Sequence, residues 1–173
     1  MKPVCNILIG LPGVGKTTFA NREFPDLYVA SSDYYIEEAA RLFGVTYNDI
    51  FSDVVKHADK AFWDTVATYS HNNMDFVVDR TNLTASSRTK VINTIKKNAN
   101  LDYEIRGYVF LTPNPRLHAD RLASRHGKYI NDQVMGAMAD SFTIPSKIEG
   151  FDTIVFIHPD GRIEAVEPKL GAA

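Results

Sequence analysis

The run Gly10-Leu-Pro-Gly-Val-Gly-Lys-Thr17 constrains this chain more than any other stretch. A short apolar run at positions 5–10 leads into it, and a helical pattern opens at Lys16, so the order is strand, loop, helix. Glycines at this spacing open backbone angles that side chains forbid, and successive N–H groups can then converge on one point. The helix that follows adds its positive end there. Such a loop cradles phosphate oxygens and fits the P-loop pattern G-x-x-x-x-G-K-[ST]. Lys16 would bring charge to the β- and γ-phosphates, and Thr17 a hydroxyl to Mg²⁺. Gly10, Gly13, Val14, Gly15, Lys16, Thr17 and Thr18 are the expected nucleotide contacts. A plain glycine-rich turn would leave Lys-Thr at the helix start unexplained.

The alternation continues along the chain. Positions 27–31 are β-prone, and Ile36, Ala39, Ala40 and Phe43 then recur at helical spacing until Gly44 closes the helix. Over 48–69, Ile50, Val54, Val55, Ala58, Phe62, Val66 and Tyr69 mark a long amphipathic helix. Positions 76–79 read as a strand ending in an acid, and 84–98 as a helix opened by Thr84 and Ser86/Ser87. Further strands are expected at 103–111 and 153–157, and further helices at 115–125 and 132–142. Pro159-Asp160-Gly161 signals a turn, after which the tail folds back as a short hairpin and frays at Gly171. This order predicts an α/β, P-loop NTPase-type, mainly parallel sheet with helices on both faces. The expected organisation is one domain over 1–158, with a helical lid at about 113–142, and a tail at 159–173. Ligands of such sheets bind at the carboxyl ends of the strands.

Composition narrows the class. With 173 residues, 45% of them hydrophobic and 23% charged, the chain can bury a core without disulfides or a structural metal. Its one cysteine, Cys5, lies in the first apolar run and fits a reducing cytoplasm. No apolar run approaches the ~20 residues of a membrane span, and neither signal peptide nor anchor is visible. The net charge of −2 argues against holding long nucleic acid by charge alone. The histidines show no metal-ligand spacing, so no zinc site is expected.

The polar residues near the predicted strand ends leave alternatives open. Asp33 follows the second strand, where a carboxylate could take a proton from an attacking hydroxyl, or simply cap the next helix. Asp79 ends Phe76-Val-Val and suits either Mg²⁺ or a turn, and Arg80, Thr81 and Asn82 follow it at once. Arg121 and Arg125 stand one helical turn apart, with Arg116, His126 and Lys128 nearby. That cluster fits a lid closing on a triphosphate or a solvated helix face.

Taken together, these stretches resemble the P-loop kinases grouped around phage polynucleotide 5′-hydroxyl kinase. The resemblance rests on the glycine-rich run, Ser31-Ser-Asp-Tyr-Tyr35, Val78-Asp-Arg-Thr-Asn-Leu83 with Arg88, Arg121-Leu-Ala-Ser-Arg125, and Ile144-Pro-Ser-Lys-Ile-Glu-Gly-Phe-Asp152. It implies Lys16, Asp33 and Arg125 as catalytic residues, with Asp33 the general base and Arg125 the lid arginine on the transferred phosphate. It places Asp79, Thr81 and Asn82 near the base and the acceptor; Arg121 is further expected at the nucleotide, and Arg80 and Arg88 at the acceptor. Thr17 and Asp79 would hold Mg²⁺. The phage enzyme grips the acceptor's 3′-phosphate with an arginine three residues after the base, and here that position is Ile36. Arg80, Arg88 or Arg41 would have to replace it.

The activity implied is transfer of the γ-phosphoryl of ATP, with Mg²⁺, to the 5′-OH end of DNA or RNA. Alternatives are a kinase for a nucleoside, a small hydroxyl compound or a hydroxymethylated base in DNA, and a nucleotide-dependent switch or ATPase without acceptor. The expected partners are nucleic acid 5′ ends or a nucleoside-like small molecule, with no membrane, in the cytoplasm.

Overall fold

In the computed structural model, which describes residues 1–165, the strands β1 (Val4–Ile9), β2 (Tyr28–Ala30), β3 (Phe76–Asp79), β4 (Glu104–Phe110), β5 (Thr153–Ile157) and β6 (Ile163–Ala165) form one sheet. Their order is β2-β3-β1-β4-β5-β6. All neighbours run parallel except β6, which turns back antiparallel on β5 as the turn signal predicts. The expected fraying at Gly171 lies outside the described residues. The helices are α1 (Lys16–Glu23), α2 (Ser32–Phe43), α3 (Tyr47–His71), α4 (Ala85–Asn98), α5 (Pro115–Ala123) and α6 (Asp132–Ser141). None among the described residues is long and apolar enough to cross a membrane.

Alternation along the strands divides the core in two. Cys5, Ile7 and Ile9 of β1 and Phe76 and Val78 of β3 face α3 and α4, meeting Phe62, Val66, Val91, Ile92 and Ile95. The intervening Leu8 and Val77 face the other way, onto Phe19 and Ala20 of α1. Burying a side chain such as Phe62, which has no exposed surface, stabilises by roughly 1.5–3 kcal/mol. Both faces of the sheet are therefore covered. A smaller cluster of Ile36, Ala40, Ile50 and Ala58 fastens α2 to α3.

Because β1 is central and the chain passes to either side of it, the carboxyl ends of β1, β2 and β3 open onto one crevice. The 3₁₀ turn at Lys147–Glu149 and the residues around it hold the frame behind that crevice. Phe151 is buried with its ring against Gly107, and Asp152 Oδ2 accepts from Ile105 N–H at 2.7 Å.

Candidate active site

The loop between β1 and α1 is bent by left-handed glycines. Gly13 (φ 79) also lies so close to α5 that a Cβ there would sit 2.9 Å from Leu122 Cδ2, so no other residue fits without displacement. At the start of α1 the cap position is Gly15, which offers no side chain, and the first N–H groups of the helix stay open to an anion. A hydrogen bond from Gly10 N–H to Thr81 O (2.9 Å) ties the loop to the segment after β3.

Lys16 is buried, and its Nζ donates to the loop's own carbonyls, Gly10 O at 2.9 Å and Leu11 O at 2.8 Å. Burial lowers its pKa to about 8 despite the nearby Asp79 and Asp33 carboxylates. Beside it, Thr17 Oγ1 donates to Asp79 Oδ2 at 2.7 Å. Burial raises the Asp79 carboxyl above the usual range, only partly offset by that hydrogen bond and by Lys16. A hydroxyl and one carboxylate next to a phosphate cradle form the sparse hard-oxygen set that suits Mg²⁺, which keeps its waters and shares phosphate oxygens. No group of three or more metal-ligating side chains occurs among the described residues.

Asp33 lies in the first turn of α2, whose cap position is Ser31, so the capping alternative does not describe it. Its Oδ1 accepts from Tyr47 Oη at 2.7 Å and its Oδ2 from Lys128 Nζ at 2.5 Å. Burial pushes this carboxyl up, but the Lys128 ammonium and the Tyr47 hydroxyl outweigh it and hold it below the ordinary value. Burial and the Asp33 charge raise the Tyr47 phenol well above its usual range. Lys128 also binds Glu37 Oε1 at 2.9 Å and rests 4.2 Å over the Tyr47 ring.

The expected arginines divide. Arg125 does not share a helix face with Arg121, because α5 ends at Ala123 and Arg125 sits in the turn beyond. It is nonetheless close enough to influence Lys16 and Asp33, and its Nη1 is buried with no hydrogen-bond partner among the described residues. Arg121 Nη1 donates to Val14 O at 3.4 Å, on the phosphate loop. Arg88, expected at the acceptor, is instead fully buried structure. Its five donors all find partners: Glu149 twice (2.7 and 2.9 Å), Asn82 O, Leu83 O and Thr143 Oγ1. Arg80 stacks 4.5 Å over Phe62 and pairs with Asp59 at 2.9 Å, and Arg41 pairs with Glu38. Asn82, in the left-handed region (φ 47), is buried and its amide donates to Leu8 O at 2.7 Å, bracing β1. Thr18 is the third residue of α1 and is exposed.

Two neighbours of the site, His118 and Tyr47, were not singled out by sequence, and a third, Lys128, stood there only as one charge of the basic cluster around Arg121 and Arg125. His118 is buried on α5 with Nε2 2.8 Å from Pro12 O, and the spacing 118, 121, 122 marks the helix face that touches the loop. Tyr47 directly follows Thr46, which forms a capping box with Asp49 at the start of α3. Lys128 carried no signal beyond its charge.

Solved structures share this fold. A structure from the PezAT chromosomal toxin–antitoxin system of Streptococcus pneumoniae matches with a TM-score of 0.70 and 19% identity, over 96% of this chain and 70% of that one. A putative kinase from Chloroflexus aurantiacus matches with a TM-score of 0.68 and 16% identity, over 91% and 89%. A chain of the Pnkp1/Rnl/Hen1 RNA repair complex matches with a TM-score of 0.60 and 21% identity, over 99% of this chain but 51% of that one. No curated protein matches the sequence. A family model described as AAA domain (AAA_33) matches residues 6–145, a span that takes in the phosphate loop, Asp33, Asp79, Arg121 and Arg125, and the chain belongs to that family.

Proposed function

We propose that the protein is an ATP-dependent kinase with a hydroxyl acceptor. The observation that carries this reading is Asp33, a carboxylate kept ionised beside the phosphate loop by Tyr47 and Lys128 and yet 49% exposed. In transfer, a bond forms between the acceptor oxygen and the γ-phosphorus while the bond to the β–γ bridging oxygen breaks. ADP leaves, and the acceptor proton passes to Asp33. Lys16 and the open N–H groups of α1 bind the phosphates, and the unpartnered Nη1 of Arg125 supplies a donor for charge developing on the transferred group. Mg²⁺, held by Thr17 and Asp79, would neutralise phosphate charge. The 113–142 segment is read as a lid.

For the acceptor we favour a 5′-hydroxyl end of DNA or RNA, supported by the motif resemblance and by the likeness to a chain of an RNA repair complex. A nucleoside or other small hydroxyl compound is the second reading. It is favoured by the burial of Ile36 and Arg88 and by the pairing of Arg80 with Asp59, which remove phosphate contacts a polymer would use. The test offers γ-labelled ATP to a 5′-hydroxyl oligonucleotide, the matching nucleoside and hydroxymethylated DNA in parallel. Label on the oligonucleotide in preference to the nucleoside is expected. Label on the nucleoside alone selects the second reading, and ATP hydrolysis without any labelled acceptor overturns the kinase.

A further inference from the structure

The turn between α5 and α6 is fastened to α2 and α3 by side chains from both. Asn48 clasps Tyr129 through its amide, with Nδ2 donating to Tyr129 O at 2.9 Å and Tyr129 N–H donating to Oδ1 at 2.7 Å. Asn48 N–H also donates to Gly127 O at 3.1 Å. Between these bonds and the phosphate loop, Lys128 enters the crevice with its side chain only 11% exposed. Ion pairs on the open surface of this protein look different: Lys60 and Asp64 are 78% and 64% exposed, and such pairs contribute little.

We propose that Lys128 is a positioning residue for the transfer: it fixes the Asp33 carboxylate in its working orientation, and it does so only while the 124–130 turn is seated on α2 and α3. The inference rests on the reading of Asp33 as the base. Two carboxylates, Asp33 and Glu37, stand four residues apart on one face of α2, an arrangement that repels. Lys128 Nζ bridges them, and Tyr47 holds the other oxygen of Asp33, so the carboxylate plane is set from two sides. Lys128 does not plug the site, because half of the Asp33 side chain stays open to an approaching hydroxyl. A base whose direction depends on a residue of the turn can act only when that turn is docked, which links closure over the nucleotide to readiness at the acceptor.

The groups that face Asp33 are Lys128 and Arg125 from the turn, Tyr47 from α3, Glu37 on its own helix, Lys16 from α1, and Asp79 at the end of β3. Removing Lys128 leaves Glu37 as an uncompensated like charge, so Asp33 takes up its proton at higher pH. The experiment compares wild type, Lys128→Met, Lys128→Arg and Asp33→Asn with γ-labelled ATP. The acceptor is whichever of the 5′-hydroxyl oligonucleotide, nucleoside or hydroxymethylated DNA the wild type labels fastest. For Lys128→Met we expect kcat lowered by about tenfold or more, an ATP KM within about twofold, and the acid limb of kcat/KM moved to higher pH. Lys128→Arg should restore part of the rate and return the limb towards wild type. If Lys128→Met disturbs the turn in thermal unfolding, Lys128→Gln gives the same comparison with a polar end retained. An unmoved acid limb with unchanged kcat, or a lost rate that arginine does not rescue, overturns the role of Lys128 while an inactive Asp33→Asn leaves the base assignment standing. A fully active Asp33→Asn, or no labelled acceptor with wild type, overturns both.

Discussion

In the reading proposed above, the nucleotide side and the acceptor side of the crevice are built by different means. On the nucleotide side, backbone N–H groups of one continuous segment, 10–17, do most of the shaping, and only Lys16 and Thr17 reach in with side chains. On the acceptor side, Asp33, Tyr47 and Lys128 come from α2, α3 and the turn beyond α5, and they meet through side-chain hydrogen bonds to Asp33 and the contact of Lys128 with the Tyr47 ring. A phosphate group is the same in every nucleotide, so a fixed backbone cradle suffices for it. An acceptor differs from enzyme to enzyme, and replaceable side chains on separate elements are the means of adapting to it.

The largest effect that can break this contrast lies behind the acceptor side. Arg88→Met leaves Glu149, itself only 10% exposed in its side chain, without its partner. We expect a stability loss of about 3–5 kcal/mol in denaturant unfolding, because an unpaired buried charge remains. Unchanged stability with weakened acceptor binding would return Arg88 to the acceptor. Next in size, Lys16→Ala should lower phosphoryl transfer by about 10²–10³-fold without lowering the unfolding temperature, since in the free protein the ammonium is held desolvated. A drop in both would make Lys16 part of the frame.

Arg125→Ala should reduce kcat by about tenfold to a hundredfold with a smaller effect on the ATP KM, and Arg125→Lys should recover little, because a point charge does not reproduce the planar fork. Equal losses in Arg125→Ala and in Lys97→Ala on α4 would remove Arg125 from the site. The smallest effect sharpens the nucleotide side alone. With a pKa of about 8, Lys16 is charged at pH 6 and increasingly neutral above pH 8 in the free protein. Bound phosphates favour the ammonium, so ATP binding should take up a fraction of a proton at pH 8–9 and none at pH 6. Calorimetry in two buffers of different ionisation enthalpy measures this, and uptake that persists in Lys16→Ala would assign it elsewhere.

What could be read in advance follows the same division. The phosphate loop is local, so spacing alone described it, and the strands at 76–79 and 153–157 end where their apolar runs end. Asp33 was visible because it closes a strand-to-helix junction, but its partners stand 14 and 95 residues away. The partner of Arg88 was hidden for a related reason. The position of Arg88 near Val78-Asp-Arg-Thr-Asn-Leu83 suggested the acceptor, whereas the carboxylate that claims it, Glu149, lies 61 residues downstream. The run from Ile144 to Asp152 had no assigned purpose in sequence, and the structure gives it one as the seat of that pair and of Phe151. Charge clusters state how many ions are present without stating which way each one points.

The contact between His118 and Pro12 O spans 106 residues, and Leu122 closes over Gly13 from the same helix. The most local motif in the sequence therefore has a finished shape that is not local at all. During synthesis the strand, loop and first helix emerge early, yet the loop lacks its outer wall until α5 has been made and docked. Closing so long a stretch carries an entropic cost, which the pairing of β1 with β4 helps to offset. The outer wall of the phosphate loop is thus supplied from more than a hundred residues further along the chain, so the motif and its finished shape are separate requirements.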